Sequence, residues 1–259
     1  MNLQHIIEET LIKGDKAFVP YIMAGDGGLE TLKPTILKLQ QIGVTAIEVG
    51  IPFSDPVADG PTIEEAGQRA LSHGVTLRKV LAELTGFVED ISVPLVAMTY
   101  LNPILAYGVE EFAHDASAAG IRGLIVPDMP FEESALLHPA LKTHGIAFVQ
   151  LVSLTSPLER VKKLAAASEG FIYAITVNGT TGVRAEFAEN LRAHFTELKQ
   201  HSTVPVLAGF GISTPEHVKE FSAFADGVIV GSQIVSALEK QDWATIDALV
   251  NASKKAGIV

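Results

Sequence analysis

The chain of 259 residues contains no cysteine. That excludes disulfides, thiolate metal sites and a cysteine nucleophile, and leaves the compartment open. Long apolar runs are missing too. Segments such as GVIVG and PLVAM are only a few residues long, although 47% of the residues are hydrophobic. A large core can therefore form, but nothing reads as a membrane span. The opening MNLQHIIEETLIKGDK mixes apolar and charged residues at helical spacing, unlike the unbroken apolar core of a secretory leader, so an extra N-terminal helix and a cytoplasmic location are expected. Positive charge is scarce: 19 Lys and Arg face 30 Asp and Glu, a net charge of −11. Binding to a nucleic-acid backbone is disfavoured, because it needs cations to neutralise phosphates. The sequence has no low-complexity tract, and its Gly and Pro are scattered as short punctuation, which predicts one domain over residues 1–259.

Within that domain, eight β-rich apolar runs recur, mostly 22 to 34 residues apart: 17–23, 46–51, 94–100, 123–128, 147–152, 171–176, 205–210 and 227–232. Between them lie amphipathic stretches such as LETLKPTILKLQQIG, SPLERVKKLAAAS and TPEHVKEFSAFA. Near-continuous apolar strands alternating with helices imply a buried parallel sheet. Eight such units predict an α/β fold, a single (β/α)8 TIM barrel. A doubly wound open sheet is the alternative, and no G-x-G-x-x-G follows the first strand to support it.

Barrel enzymes place their chemistry where strands end and βα loops begin. The carboxylates so placed are Glu48 in the second strand, Asp55 and Asp59 in the loop after it, and Asp128 closing the fourth. The phenols are Tyr21, Tyr100 and Tyr173, with Tyr107 further into a loop. Glu48 lies between Ile47 and Val49, and a carboxyl in apolar surroundings is costly to ionise, which suits proton exchange near neutrality. The competing reading turns Glu48 outward to pair with a helix. The following loop carries Pro52, Pro56, Pro61 and Gly60, so its backbone is restricted while it displays Asp59. Asp59 could equally be a solvated turn residue or a helix N-cap.

Glycine-rich segments NGTTG, AGFGIS and VGSQ end the last three strands, and a helix beginning at Ser232 would aim its positive end at the same point. Their joint placement predicts a phosphate site. No lysine stands at the C-terminal end of a strand, which disfavours a Schiff-base aldolase. The eight histidines show no H-x-H or H-E-x-x-H spacing and read as surface residues, so a metal-dependent aldolase is disfavoured too. What remains is a carboxylate-operated barrel for a phosphorylated substrate, with isomerases, epimerases and lyases open.

The segments EVGIPFSDPVADGPTI, FVPYIMAGD, MTYLNPI, VPDMPFEES and AGFGIS resemble the tryptophan synthase alpha subunit family along essentially the whole chain. The resemblance implies cleavage of indole-3-glycerol phosphate to indole and glyceraldehyde 3-phosphate in tryptophan biosynthesis. It implies Glu48, Asp59 and Tyr173 as catalytic residues, and Gly182, Phe210, Gly211, Gly231 and Ser232 around the phosphate. Tyr21, Tyr100, Ile125 and Leu151 would line the indole pocket, and Asp128 would be buried near a subunit contact. No metal and no cofactor are expected in this chain. The implied partner is the pyridoxal-phosphate-dependent beta subunit, in an α2β2 assembly. A free-standing lyase releasing indole, or a phosphosugar isomerase or epimerase of the same fold, is the alternative. Two departures from the common family pattern stand out, Glu64 in place of a frequent glutamine and the TVNGTTGVR form of the loop after the sixth strand.

Overall fold

The computed structural model describes residues 2–153, 155–175, 184–209 and 211–255, and the side chains of all of these except 184–190. Nine strand segments form one wholly parallel sheet: β1 (Ala17–Met23), β2 (Ile47–Gly50), β3 (Leu95–Met98), β4 (Ile121–Ile125), β5 (Ala147–Phe148), β6 (Gln150–Ser153), β7 (Ile172–Ile175), β8 (Val206–Gly209) and β9 (Gly227–Val230). Their order is β5-β4-β3-β2-β1-β9-β8-β7-β6.

The two ends of that order, β5 and β6, are halves of one run of chain that the sequence reads as a single strand. Its first half pairs with β4 and its second with β7. Between them the Val149 N–H still donates to the Leu124 carbonyl at 3.0 Å. The sheet therefore closes on itself as an eight-stave barrel, with the expected fifth stave broken where it changes partner. Helices pack outside, among them Leu32–Ile42 after β1 and Pro61–Ser72 after β2.

Alternation along the strands divides the apolar residues between two cores. Inward positions such as Val19, Ala46, Val96, Ile125, Phe171, Leu207 and Ile229 fill the barrel, while outward ones such as Phe18, Ile47, Val49 and Val228 pack under the helices. The N-terminal helix α1 (Leu3–Ile12) is present, and the Asn2 side chain caps it by accepting the His5 N–H at 3.1 Å. It seats Leu3 and Ile7 in the inner core, each burial worth about 1.5–3 kcal/mol. Gly123 and Gly170 make the room: a Cβ on either would come within 2.7 or 2.8 Å of Leu3.

Candidate active site

At the C-terminal ends of the strands opens a cavity of about 500 Å³. Tyr21 of β1, Glu48 of β2, Met98 of β3, Tyr173 of β7 and Ile229 of β9 form its floor. Its walls are Ala58, Asp59 and Gly60 in the loop after β2, Gly211, Ile212 and Ser213 after β8, and Gly231 to Gln233 after β9.

Glu48 faces inward because it shares the strand parity of Ala46, whose side chain lies in the barrel interior. Its register neighbours are Tyr21 on one side and Val96 on the other. The side chain is 1% exposed, and its Oε1 has no hydrogen-bond partner among the described residues. An outward-facing Glu48 paired to a helix is ruled out. Burial, and then the charge of Asp59, push its pKa to about 8. At neutral pH it is a carboxylic acid with a proton to give.

Asp59 owes its position to a short folded loop. The Val57 N–H donates to the Asp55 carbonyl at 3.0 Å, the Asp59 N–H to the Pro56 carbonyl at 3.2 Å, and the Ala58 N–H to Tyr100 Oη at 3.0 Å. The N-cap of the helix Pro61–Ser72 is Gly60, not Asp59, so the cap reading of Asp59 fails. Partial burial raises its pKa to about 6; the Tyr100 hydroxyl opposes that rise, and Glu64 adds to it. Asp59 thus ionises before Glu48, and the pair separates into a base-like and an acid-like carboxyl near neutrality. Glu64 itself is exposed on the first turn of that helix.

The helix carrying Thr62 and Ile63 into the cavity is tied down at its other end by a two-pronged ion pair, Arg69 Nε and an Nη to the Asp26 carboxylate at 2.7 and 2.8 Å. Tyr21 and Tyr173, both lining the cavity with Glu48, are buried, and burial first and the nearby carboxylates second hold their hydroxyls well above pKa 10, so both are neutral.

In the same cavity, Gly231 is the N-cap of the helix Ser232–Glu239, and the Val235 N–H returns to its carbonyl at 3.1 Å. The first N–H groups of that helix precede its intrahelical bonds and point into the cavity end of the helix, where an anion is favoured. Gly211 has φ +75°, a conformation that side chains rarely adopt. Gly182 and Phe210, expected at this end, lie outside the described residues, as do residues 177–183 of the 177–190 loop.

Not every expected residue is in the cavity wall. Tyr100 is buried behind the loop that it holds. Ile125 is buried in the barrel beside Met98 in register, and Leu151 lies half-buried in a separate cleft of about 170 Å³ with Val126, Phe131 and Arg160. Asp128 is exposed rather than buried, its Oδ1 accepting the Leu101 N–H at 3.0 Å, because it sits in the turn beyond β4. One histidine expected at the surface, His194, is buried, with its pKa lowered by that burial. Met98, Ile229, Ile63, Ile212 and Ser236 belong to the cavity without having been singled out; parity alone could have picked Met98 and Ile229.

Residues 7–257 match the family model described as Tryptophan synthase alpha chain. The chain belongs to the tryptophan synthase alpha chain family. It is 49% identical over 249 residues to the tryptophan synthase alpha chain of Bacillus cereus (strain ATCC 10987 / NRS 248), and 48% identical to that of Bacillus anthracis, covering 96% of both chains in each case. The same family appears among solved structures: tryptophan synthase subunit alpha from Legionella pneumophila, with TM-score 0.88 and 32% identity over 97% of this chain and 98% of that one. A chain of ligand-free tryptophan synthase from M. tuberculosis gives TM-score 0.88 and 32% identity over the same shares. Membership makes the chain a lyase of tryptophan biosynthesis, and the isomerase and epimerase alternatives are not favoured.

Proposed function

We propose that Glu48 and Asp59 together cleave indole-3-glycerol phosphate by a retro-aldol reaction. The observation that carries the reading is Glu48 itself, a protonated carboxyl buried in the cavity with one oxygen unpartnered among the described residues, facing an ionisable Asp59. Glu48 gives its proton to C3 of the indole ring, which puts a positive charge on the ring nitrogen. The carboxylate so formed takes the proton of the glyceryl hydroxyl. The bond from C3 to the side chain then breaks and its electron pair returns to the ring. Indole and glyceraldehyde 3-phosphate leave, and Glu48 is again protonated.

Asp59 accepts the indole N–H and stabilises the positive charge on that nitrogen. Tyr173 orients the substrate beside Glu48. The ring lies against Tyr21, Met98, Ile63 and Ile229, and the phosphate rests on the part of the cavity lined by Gly211, Gly231 and Ser232. The deciding experiment is indole release from indole-3-glycerol phosphate by the isolated chain and by Glu48→Gln. Turnover by the former that is lost in the latter supports the reading; a tenth of the rate surviving in Glu48→Gln overturns it.

The product argues for a partner. Indole is small, neutral and membrane-permeable, and a beta subunit with its own pyridoxal phosphate, joined as α2β2 in the cytoplasm, would consume it at once. The face that suits docking surrounds the cavity mouth. Val57 in the loop after β2 is 80% exposed, and Leu105 and Leu136, in the segments after β3 and β4, are 48% and 51% exposed. No helix among the described residues is long and apolar enough to cross a membrane.

A further inference from the structure

The side chain of Tyr100 is fastened on three sides. Its ring centroid lies 5.3 Å from that of Phe53, at the start of the loop that ends in Asp59. Its Oη accepts the Ala58 N–H at 3.0 Å, near the other end of that loop. With a lone pair so engaged, the phenolic proton is left for a second partner, and the adjacent acceptor is the Asp59 carboxylate.

The backbone of Tyr100 is fixed as well. Tyr100 is the N-cap of the helix Leu101–Tyr107, yet it supplies no side-chain cap. The first N–H of that helix, on Leu101, is taken instead by Asp128 Oδ1 at 3.0 Å, reaching over from the turn after β4. A carboxylate at a helix N-terminus is favoured by both hydrogen bonding and the helix dipole.

Resting on the reaction proposed above, we infer that Tyr100 is a positioning residue for Asp59, and that Asp128, by capping the helix that begins at Tyr100, fixes Tyr100 in turn. The need for a clamp follows from what surrounds Asp59. Glu48 faces it from β2, Glu64 from the helix Pro61–Ser72, and the neutral phenols Tyr21, Tyr173 and Tyr100 from β1, β7 and the turn after β3. The charge of Glu64 disfavours its ionised form, and among the described residues no cation is one of the groups acting on it. The Tyr100 hydroxyl, alone of those groups, favours the ionised form. Without it Asp59 holds a proton to higher pH and its loop loses a point of attachment.

The test is the titration of Asp59, followed by NMR on protein carrying carboxyl-labelled aspartate and assigned by the signal missing from Asp59→Asn. In Tyr100→Phe, which keeps the ring against Phe53, the Asp59 midpoint is expected to rise by about one pH unit. The acid limb of indole release should rise with it, kcat should fall about tenfold or more, and KM should change less than about threefold, as for a group that acts through orientation. Asp128→Ala should shift the midpoint the same way by less, and Asp128→Asn, which keeps an oxygen acceptor for the Leu101 N–H, should restore it. An unchanged midpoint in Tyr100→Phe overturns the inference, and a change in Tyr100→Phe without one in Asp128→Ala overturns its outer half. Should the wild-type chain release no indole, the proposed reaction fails, while the titration, which needs no turnover, still decides the role of Tyr100.

Discussion

The Tyr21 hydroxyl occupies the place where a side chain on Gly50 would begin. Tyr21 pairs in register with Glu48, so its ring leans along the neighbouring strand over the residue two positions on. The same relation recurs across the barrel, where Tyr173 pairs with Leu207 and its ring covers Gly209. Both phenols that line the cavity with Glu48 are thus held by a glycine on the next strand. Gly50→Ala must drive Tyr21 into the cavity, and overpacking of this kind costs about 1–3 kcal/mol. Urea melts should show that loss, together with a fall in substrate affinity. The pair should be non-additive: Gly50→Ala combined with Tyr21→Val recovers stability that Gly50→Ala alone has lost. Equal losses in the single and double variants would argue against the clash.

The separated carboxyls set the pH dependence of turnover. Glu48 donates only while protonated, so the rate should fall as pH rises through about 8. Asp59 acts only when ionised, so the rate should fall as pH drops through about 6. A bell between these limits is expected in kcat/KM. Glu48→Gln should lower kcat by roughly 10²- to 10⁴-fold at every pH. Because Glu64 raises the Asp59 pKa, Glu64→Gln should move the acid limb downward and leave the alkaline limb in place.

Stability should carry the mark of Glu48 as well. Its carboxyl holds a proton up to about 8 in the folded chain, against 4.5 as the ordinary value. Between those two pH values the folded state binds the extra proton, so this contribution is complete below 4.5, declines as pH rises, and is gone above about 8. The difference is on the order of a few kcal/mol. Urea midpoints at pH 5 and pH 9 should therefore diverge more in the wild type than in Glu48→Gln. Parallel behaviour of the two proteins would mean that Glu48 is not titrating in that window.

At the other end of the cavity, Gly211→Val puts a branched side chain on a backbone with φ +75° and crowds the approach to the helix at Ser232. Binding of glycerol 3-phosphate, measured by calorimetry, should weaken at least tenfold. Lys219→Ala, on an exposed helix position, serves as the control and should leave it unchanged. Small, equal effects from the two would place the phosphate elsewhere.

The barrel was legible because its strands are short, apolar and regularly spaced, and parallel strands buried on both faces have no other signature. The break at Val149 was not legible. Nothing local marks it, since it arises where one strand changes partner from β4 to β7 on closure. Glu48 stood out because a carboxyl among apolar neighbours must be explained. Met98 and Ile229 did not, because an apolar residue facing a cavity looks the same in sequence as one facing a core. Leu151, placed by resemblance in the pocket, lines the neighbouring cleft and packs against the inner core that holds Tyr173. Asp128 was expected to be buried, and it is exposed in the chain considered alone, with its one bond made to a backbone rather than to a core.

The seating of Leu3 in the inner core has a bearing on how the chain is made. A ribosome releases α1 first, yet Leu3 rests against Gly123 and Gly170, and the neighbour that completes β1 is β9, begun at Gly227. The helix born first has no berth until most of the polypeptide has followed it. Contacts of such long sequence separation slow folding. A nascent chain halted before Gly227 would keep one side of β1 open for pairing with another molecule.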